Sequence, residues 1–223
     1  MERHRAQPGT RPSTPQEAWA CLEAGNIRFM AGERAHPHQD VQLRHRLANK
    51  QMPFAVFFGC ADSRVAAEII FDQGLGDLFV VRTAGHVIDS SVIGSIEFAV
   101  GMLDVPLVVV LGHDSCGAIK AAVTAVETGD MPTGYIRDIV ERVTPSVLTA
   151  RKRGETSTYE IEAEHVRNTA WLLASRSTVV ADKLAEGTLA IVGATYRLRE
   201  GQANIVESLG MPPPAPPVVD SPE

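Results

Sequence analysis

The chain has 223 residues, of which 44% are hydrophobic and 22% are charged, a composition typical of a globular protein with one sizeable core. Its formal net charge of −6 argues against a nucleic-acid partner, because phosphate binding requires clustered lysine and arginine. The N-terminus lacks the apolar core of a signal peptide, and no stretch approaches the roughly 20 apolar residues of a membrane span. We therefore expect a cytoplasmic protein that does not bind membranes and whose cysteines are reduced.

Sequence rich in proline, glycine and polar residues at both ends suggests the limits of one folded domain. Residues 1–14 and 211–223 show no apolar period, so we expect disordered tails there. The remaining residues, 15–210, are expected to form a single α/β domain that begins with an N-terminal helical arm. Thr14 is a helix N-cap candidate followed by proline, and a second helix is expected near 39–50.

After the arm, four short apolar runs alternate with segments of helical periodicity. Continuous apolar runs of this length indicate strands that are buried on both faces, and the alternation predicts a mainly parallel central β-sheet flanked by helices. The helical stretch between the third and fourth strands exceeds one crossover, so we expect two or three helices packed on the sheet or on a partner subunit. The predicted strands are 54–59, 78–82, 107–112 and 189–193, and the helical segments lie near 63–72, 90–104, 116–128, 135–151 and 159–186.

Two of the predicted strands end in residues that are suited to bind a metal. Cys60 ends the first strand, and His113 and Cys116 follow the third strand at the spacing H-x-x-C. The carboxyl ends of the strands in an open parallel sheet share one edge, where ligands bind, so these two loops can meet in a single crevice. Zinc prefers cysteine sulfur and histidine nitrogen, and a set of two cysteines and one histidine leaves the fourth position free for water. The three residues therefore predict one Zn²⁺ per chain in a catalytic site.

The motifs Cys60-Ala-Asp-Ser-Arg64 and His113-x-x-Cys116 resemble the two signature motifs of the β-class carbonic anhydrases. Segments 79–85, 94–100 and 193–198 are similar to family segments in the same order, and an actinobacterial-type member is expected. The resemblance implies a zinc enzyme that reversibly hydrates carbon dioxide to bicarbonate and a proton through zinc-bound hydroxide. It also implies a homo-oligomer, either a dimer or a dimer of dimers.

The resemblance further implies catalytic roles for Asp62 and Arg64. Asp62 would accept a hydrogen bond from the zinc-bound hydroxide while it is paired with Arg64. A free carboxylate beside zinc would bind the ion directly, so Asp62 is also a candidate fourth ligand in a closed state, and a bidentate guanidinium would hold it off. Because two thiolates cancel the charge of the ion, activity is expected to rise towards alkaline pH.

Substrate contacts follow from the same resemblance. Phe79 and Phe98 would line an apolar pocket for carbon dioxide, with Phe98 reaching in from the adjacent subunit. Gln51 and the backbone N–H of Gly117 would meet the oxygens of the substrate or of bicarbonate.

The chain departs from the commoner family pattern at several positions. Phe98 stands where tyrosine is frequent, and Asp114 stands where serine or threonine is common. His86 replaces the usual asparagine; it could carry protons to bulk water, or it could be a polar residue at a strand-loop boundary. Family members with a second, inhibitory bicarbonate site carry tryptophan where this chain has Phe57, so we expect that site to be absent.

Three alternatives remain open from the sequence. A related zinc hydrolase would act on carbon disulfide or carbonyl sulfide. A non-catalytic, zinc-stabilised α/β oligomer would use Asp62 as a permanent fourth ligand, although such a site would not need Arg64. A thiol redox protein would couple Cys60 with Cys116, but the chain contains no C-x-x-C motif.

Overall fold

A computed structural model of the chain describes residues 11–212, which form a five-stranded sheet with helices on both faces. The strand order is β2-β1-β3-β4-β5, in which the first four strands of the chain run parallel and β5 pairs antiparallel with β4. The predicted α/β fold class is confirmed. The strands are β1 Ala55–Cys60, β2 Leu78–Thr83, β3 Leu107–His113, β4 Ala190–Arg197 and β5 Gln202–Leu209.

The two edge strands depart from the sequence prediction. β2 was expected to be buried on both faces, but it pairs only with β1 and its residues are exposed or half-buried. β5 was not predicted, because an edge strand with one partner does not need a continuous apolar run. In contrast, every residue of β1 and β3 is buried, as expected for the centre of a parallel sheet.

Eight α-helices surround the sheet in the described part of the chain. The helix expected near 63–72 is only four residues long, and the region between β3 and β4 holds four helices rather than two or three. One break explains the extra helix: Ser177 ends one helix and caps the next by accepting from the N–H of Val180 at 3.1 Å. The helices are α1 Pro15–Ala31, α2 Val41–Leu47, α3 Ala67–Ile70, α4 Ser90–Met102, α5 Gly117–Thr128, α6 Ile136–Lys152, α7 Thr158–Arg176 and α8 Thr178–Ala185.

Helix α1 begins where the sequence predicts. Thr14 accepts from the N–H of Glu17, and the Glu17 carboxylate accepts from the N–H of Thr14, which together form a capping box. Ala18 and Leu22 on this helix are buried in the core on one face of the sheet. The N-terminal arm therefore packs on the sheet through α1, whereas α2 has no buried residue.

Three apolar clusters hold the helices in place. One covers the sheet face under α1 and α3, and a second covers the opposite face under α4, α7 and α8. The third joins α5, α6 and α7 and includes Cys60 and Cys116, so it anchors the two cysteines in packed surroundings.

The tails predicted for 1–14 and 211–223 lie outside the described residues except for 11–14 and 211–212. Within residues 11–212, no helix combines the length and the apolar character that a membrane span requires.

Candidate metal centre

Cys60, His113 and Cys116 meet at the carboxyl-terminal edge of the sheet. Cys60 is the last residue of β1, His113 is the last residue of β3, and Cys116 is the N-cap residue of α5. Their ligand atoms all lie within 4.8 Å of one another, and all three side chains are buried. The direct pairing of β1 with β3 brings them together, as the shared edge of parallel strands predicts.

The protonation of the His113 ring suits a metal ligand. Nδ1 lies 2.8 Å from the carbonyl oxygen of Asp114, and because a carbonyl only accepts, Nδ1 carries the proton. Nε2 therefore presents a lone pair, and this buried atom has no hydrogen-bond partner. A buried polar atom without a partner is costly, and a cation between the imidazole and the two sulfurs would satisfy it. This donor set fits Zn²⁺.

The two sulfur atoms share a hydrogen bond that favours a thiolate. A bond from Cys116 lowers the pKa of Cys60, and the same bond together with burial raises the pKa of Cys116. The backbone N–H of Gly85 also donates to Cys60 Sγ, at 3.3 Å. The lowered pKa of Cys60 favours its thiolate, which is the form that binds metals.

Asp62 stands beside the ligand group and is held by Arg64. Arg64 donates from Nε to Oδ1 at 2.9 Å and from Nη2 to Oδ2 at 2.7 Å, and its backbone N–H donates to Oδ1 at 2.9 Å. These bonds hold the pKa of Asp62 well below its usual range, so the carboxylate is ionised. Asp62 Oδ2 lies 3.9 Å from His113 Nε2, within reach of a group bound at the metal position.

Two residues whose structural role was not predicted fix the loops that carry these groups. Arg82, at the end of β2, donates to the carbonyl of Cys60 at 2.8 Å and to the carbonyl of Asp62 at 2.6 Å. Asp114 accepts from the N–H of Leu198 at 3.0 Å, which ties the loop after β3 to the end of β4. The sequence signal that could have identified Arg82 is its position, since a charged residue at the end of an apolar strand indicates a specific partner.

Glu162 of α7 lies behind His113 and was also not predicted. It is 1% exposed and accepts from the backbone N–H of His113 at 3.1 Å. Burial raises the pKa of Glu162 to about 8. A side chain at Gly112 would overlap this carboxylate, so glycine is required there. Glutamates alternate at positions 160, 162 and 164, so nothing in the local sequence marks Glu162 for such a contact.

The structure changes the interpretation of His86. Its side chain is fully buried and both ring nitrogens lack partners, with Nδ1 at 3.7 Å from the Glu162 carboxylate. Burial lowers the pKa of His86 well below its usual value. A neutral, enclosed imidazole cannot exchange protons with bulk water, so the proton-carrier hypothesis is wrong. His86 does lie in the turn directly after β2, at a strand-loop boundary, but its side chain is buried there.

The four predicted substrate-binding residues occupy different places in one chain. Gly117 is the first residue of α5, directly after Cys116, and the space where its side chain would be is open. The rings of Phe79 and Phe98 lie 6.3 Å apart, between β2 and α4. Phe79 is in register with Val56, so it sits roughly 13 Å along the sheet from the level of Cys60.

Gln51 is exposed and precedes β1, at the end of that strand opposite to Cys60. Within one chain, Gly117 therefore lies beside Cys60, His113 and Cys116, whereas Gln51 does not. Phe98 is also turned outward, with 47% of its surface exposed.

The chain is similar to known carbonic anhydrases in sequence and in fold. The model of a protein family described as carbonic anhydrase matches residues 55–203. A carbonic anhydrase of Mycolicibacterium smegmatis is 58% identical over 198 residues, covering 89% of this chain and 96% of that protein. The solved structure of the beta-carbonic anhydrase CcaA is 26% identical with a TM-score of 0.65, covering 83% of this chain and 86% of that chain.

The fold also matches a structure from the fungus Sordaria macrospora that is described as a tetrameric beta-carbonic anhydrase. That match has a TM-score of 0.68 at 22% identity and covers 84% of this chain and 95% of that chain. It bears on the fold alone.

Proposed function

The chain belongs to the β-class carbonic anhydrase family, and from that premise we propose that Cys60, His113 and Cys116 bind one zinc ion at its active site. As a carbonic anhydrase, the enzyme interconverts carbon dioxide and bicarbonate. The observation that carries the proposal is the buried ligand group, with the free lone pair of His113 Nε2, directly beside the Asp62–Arg64 pair. Bound zinc would supply the Lewis acidity that ionises water at moderate pH.

Asp62 is proposed to orient the attacking water. Its carboxylate is kept ionised by Arg64 and can accept a hydrogen bond from a water near His113 Nε2. Arg64 occupies both carboxylate oxygens, so Asp62 becomes a fourth metal ligand only if this pair breaks. The paired arrangement supports an open catalytic site over a non-catalytic zinc oligomer, because a closed structural site would use the carboxylate as a ligand.

Gly117 is proposed to bind the oxygen of the substrate or of bicarbonate. Its N–H belongs to the first turn of α5, where backbone donors have no partner within the helix, and the adjacent space is open. Carbon dioxide is apolar, so a pocket that combines this donor with the exposed Phe98 of a second copy of the chain would suit it. Family membership favours carbon dioxide over carbon disulfide or carbonyl sulfide as the substrate.

A second copy of the chain is proposed to complete the pocket. Gln51 and Phe98 lie away from the ligands of their own chain and are exposed, and Met102 on the same helix as Phe98 is also exposed. These features support a homodimer or a dimer of dimers in which each chain contributes residues to the substrate pocket of the other. A cytoplasmic location is proposed because Cys60 and Cys116 must stay reduced to bind zinc.

Zinc content and carbon dioxide hydration of matched cysteine variants test the proposal. We expect one zinc per chain in the wild type, and loss of both zinc and activity in Cys60→Ser and Cys116→Ser, since a hydroxyl is a poorer ligand than a thiolate. Cys21→Ser is the control, because Cys21 lies on α1 outside the ligand group. Elemental analysis and stopped-flow hydration with and without a chelator provide the readouts. Full zinc occupancy in Cys60→Ser would contradict the ligand assignment.

A further inference from the structure

A series of hydrogen bonds, buried except at its Asn168 end, leads from α6 and α7 to the sulfur of Cys60. Asn168 donates to Ser146 Oγ at 3.2 Å, and Ser146 Oγ lies 2.9 Å from His165 Nδ1. His165 Nε2 lies 2.9 Å from the carbonyl oxygen of Gly85, and the N–H of Gly85 donates to Cys60 Sγ at 3.3 Å. The series connects residues that are 80 positions apart in the chain, and it ends on a proposed zinc ligand.

Chemistry fixes the direction of these bonds. The Gly85 carbonyl can only accept, so His165 Nε2 carries a proton and donates it. Nδ1 is then the acceptor for the Ser146 hydroxyl. Burial lowers the pKa of His165 to about 4, so the ring remains neutral near pH 7 with one donor, directed at Gly85.

The segment that His165 contacts is a strained turn. Gly85 has φ 64° and His86 has φ 41°, so two consecutive residues of the short 3₁₀ turn Ala84–His86 adopt left-handed conformations. A side chain on Gly85 would come within 2.6 Å of Ala118 in the first turn of α5. The Gly85 peptide is therefore closely packed between Cys60 and α5, the helix that follows Cys116. The His165 ring also packs on His86, with ring centroids 4.5 Å apart.

We propose that His165 is a positioning residue that fixes the Gly85 peptide, so that its N–H orients and stabilises the Cys60 thiolate as a metal ligand. The proposal rests on the proposed zinc site. Two thiolates donate enough charge to cancel that of the ion, and an N–H bond to one sulfur withdraws part of that charge. Partners of metal ligands hold the ligands in orientation, and their loss typically weakens metal binding.

The release of zinc to an excess of chelator tests this role directly. His165→Phe removes the donor, and we expect release to become roughly tenfold faster. His165→Gln retains a donor near the position of Nε2 and should release zinc at close to the wild-type rate. Thr169→Val is the control, since it alters another buried polar residue of α7 outside the hydrogen-bond series.

The cobalt-substituted protein gives a second readout that does not depend on catalysis. Loss of the N–H bond raises the energy of the sulfur lone pair, so the thiolate-to-cobalt charge-transfer band should move to longer wavelength in His165→Phe and not in Thr169→Val. If His165→Phe fails to fold, Ser146→Ala replaces it in both measurements. We expect faster zinc release and a charge-transfer band at longer wavelength in that variant as well.

Wild-type release and spectrum in the folded variant would overturn the proposal. Equal effects in His165→Phe and His165→Gln would also overturn it, because packing rather than the donor would then be responsible. Failure of the wild-type protein itself to bind zinc would instead refute the zinc site proposed above, so the two failures are distinguishable.

Discussion

Substitution of Gly112 by alanine perturbs the contacts that hold His113 and changes none of the proposed zinc ligands. The added methyl group would overlap Glu162 Oε1 and lie 2.6 Å from Val166 Cγ2, closer than real side chains pack. Overpacking a buried site costs about 1–3 kcal/mol. The displaced Glu162 would also leave the backbone N–H of His113 without its acceptor, which costs about 1–3 kcal/mol more. We therefore expect the free energy of unfolding to fall by about 2–6 kcal/mol.

Urea unfolding of the zinc-loaded protein measures this loss, and zinc release to chelator measures the effect on the metal centre. Gly117→Ala is the matched control, because its methyl group would enter open space and alanine favours helices. We expect this control to unfold at or slightly above the wild-type urea concentration. A Gly112→Ala protein that unfolds like Gly117→Ala would refute the view that α7 packs tightly against the end of β3.

Arg64→Ala should retain zinc but lose most carbon dioxide hydration, with residual activity confined to more alkaline pH, because the freed Asp62 competes for the open metal position. A wild-type rate and pH profile in Arg64→Ala would contradict the role given to Arg64. Arg137→Ala is the control, because it breaks an exposed ion pair on α6. The pKa of His165 is lowered from 6.5 to about 4 in the folded protein, so the unfolded chain binds the extra proton first as pH falls. The contribution of His165 to the free energy of unfolding is therefore complete above about pH 6.5, and about 3 kcal/mol of it is lost by pH 4. The free energy of unfolding, measured with urea from pH 4.5 to 7.5, should therefore depend less on pH in His165→Gln than in the wild type. Equal pH dependence in the two proteins would contradict this role of His165. Phe98→Glu should yield a smaller assembly by analytical ultracentrifugation with lower activity, whereas an active wild-type monomer would refute the shared pocket.

The sequence alone predicted the central part of the sheet and the ligand group. Continuous apolar runs are local properties, so β1, β3 and β4 could be located from consecutive residues. Cys60 and His113 could be placed together because each ends a parallel strand, and the rule that such ends share one edge needs no knowledge of packing. The Asp62–Arg64 pair is also local, since the two residues are only two positions apart.

Only the tertiary structure decided what surrounds the proposed ligands. β2 and β5 are sheet edges because of the strand order, which the apolar pattern does not contain. Glu162 reaches His113 across 49 positions, and His165 reaches Gly85 across 80, through the packing of α7 against the sheet. Within a helical period a buried glutamate or histidine looks like any polar residue, because its environment is supplied by distant segments. The proposed ligands can thus be identified from short motifs, whereas their orientation depends on long-range contacts that form only when the chain folds.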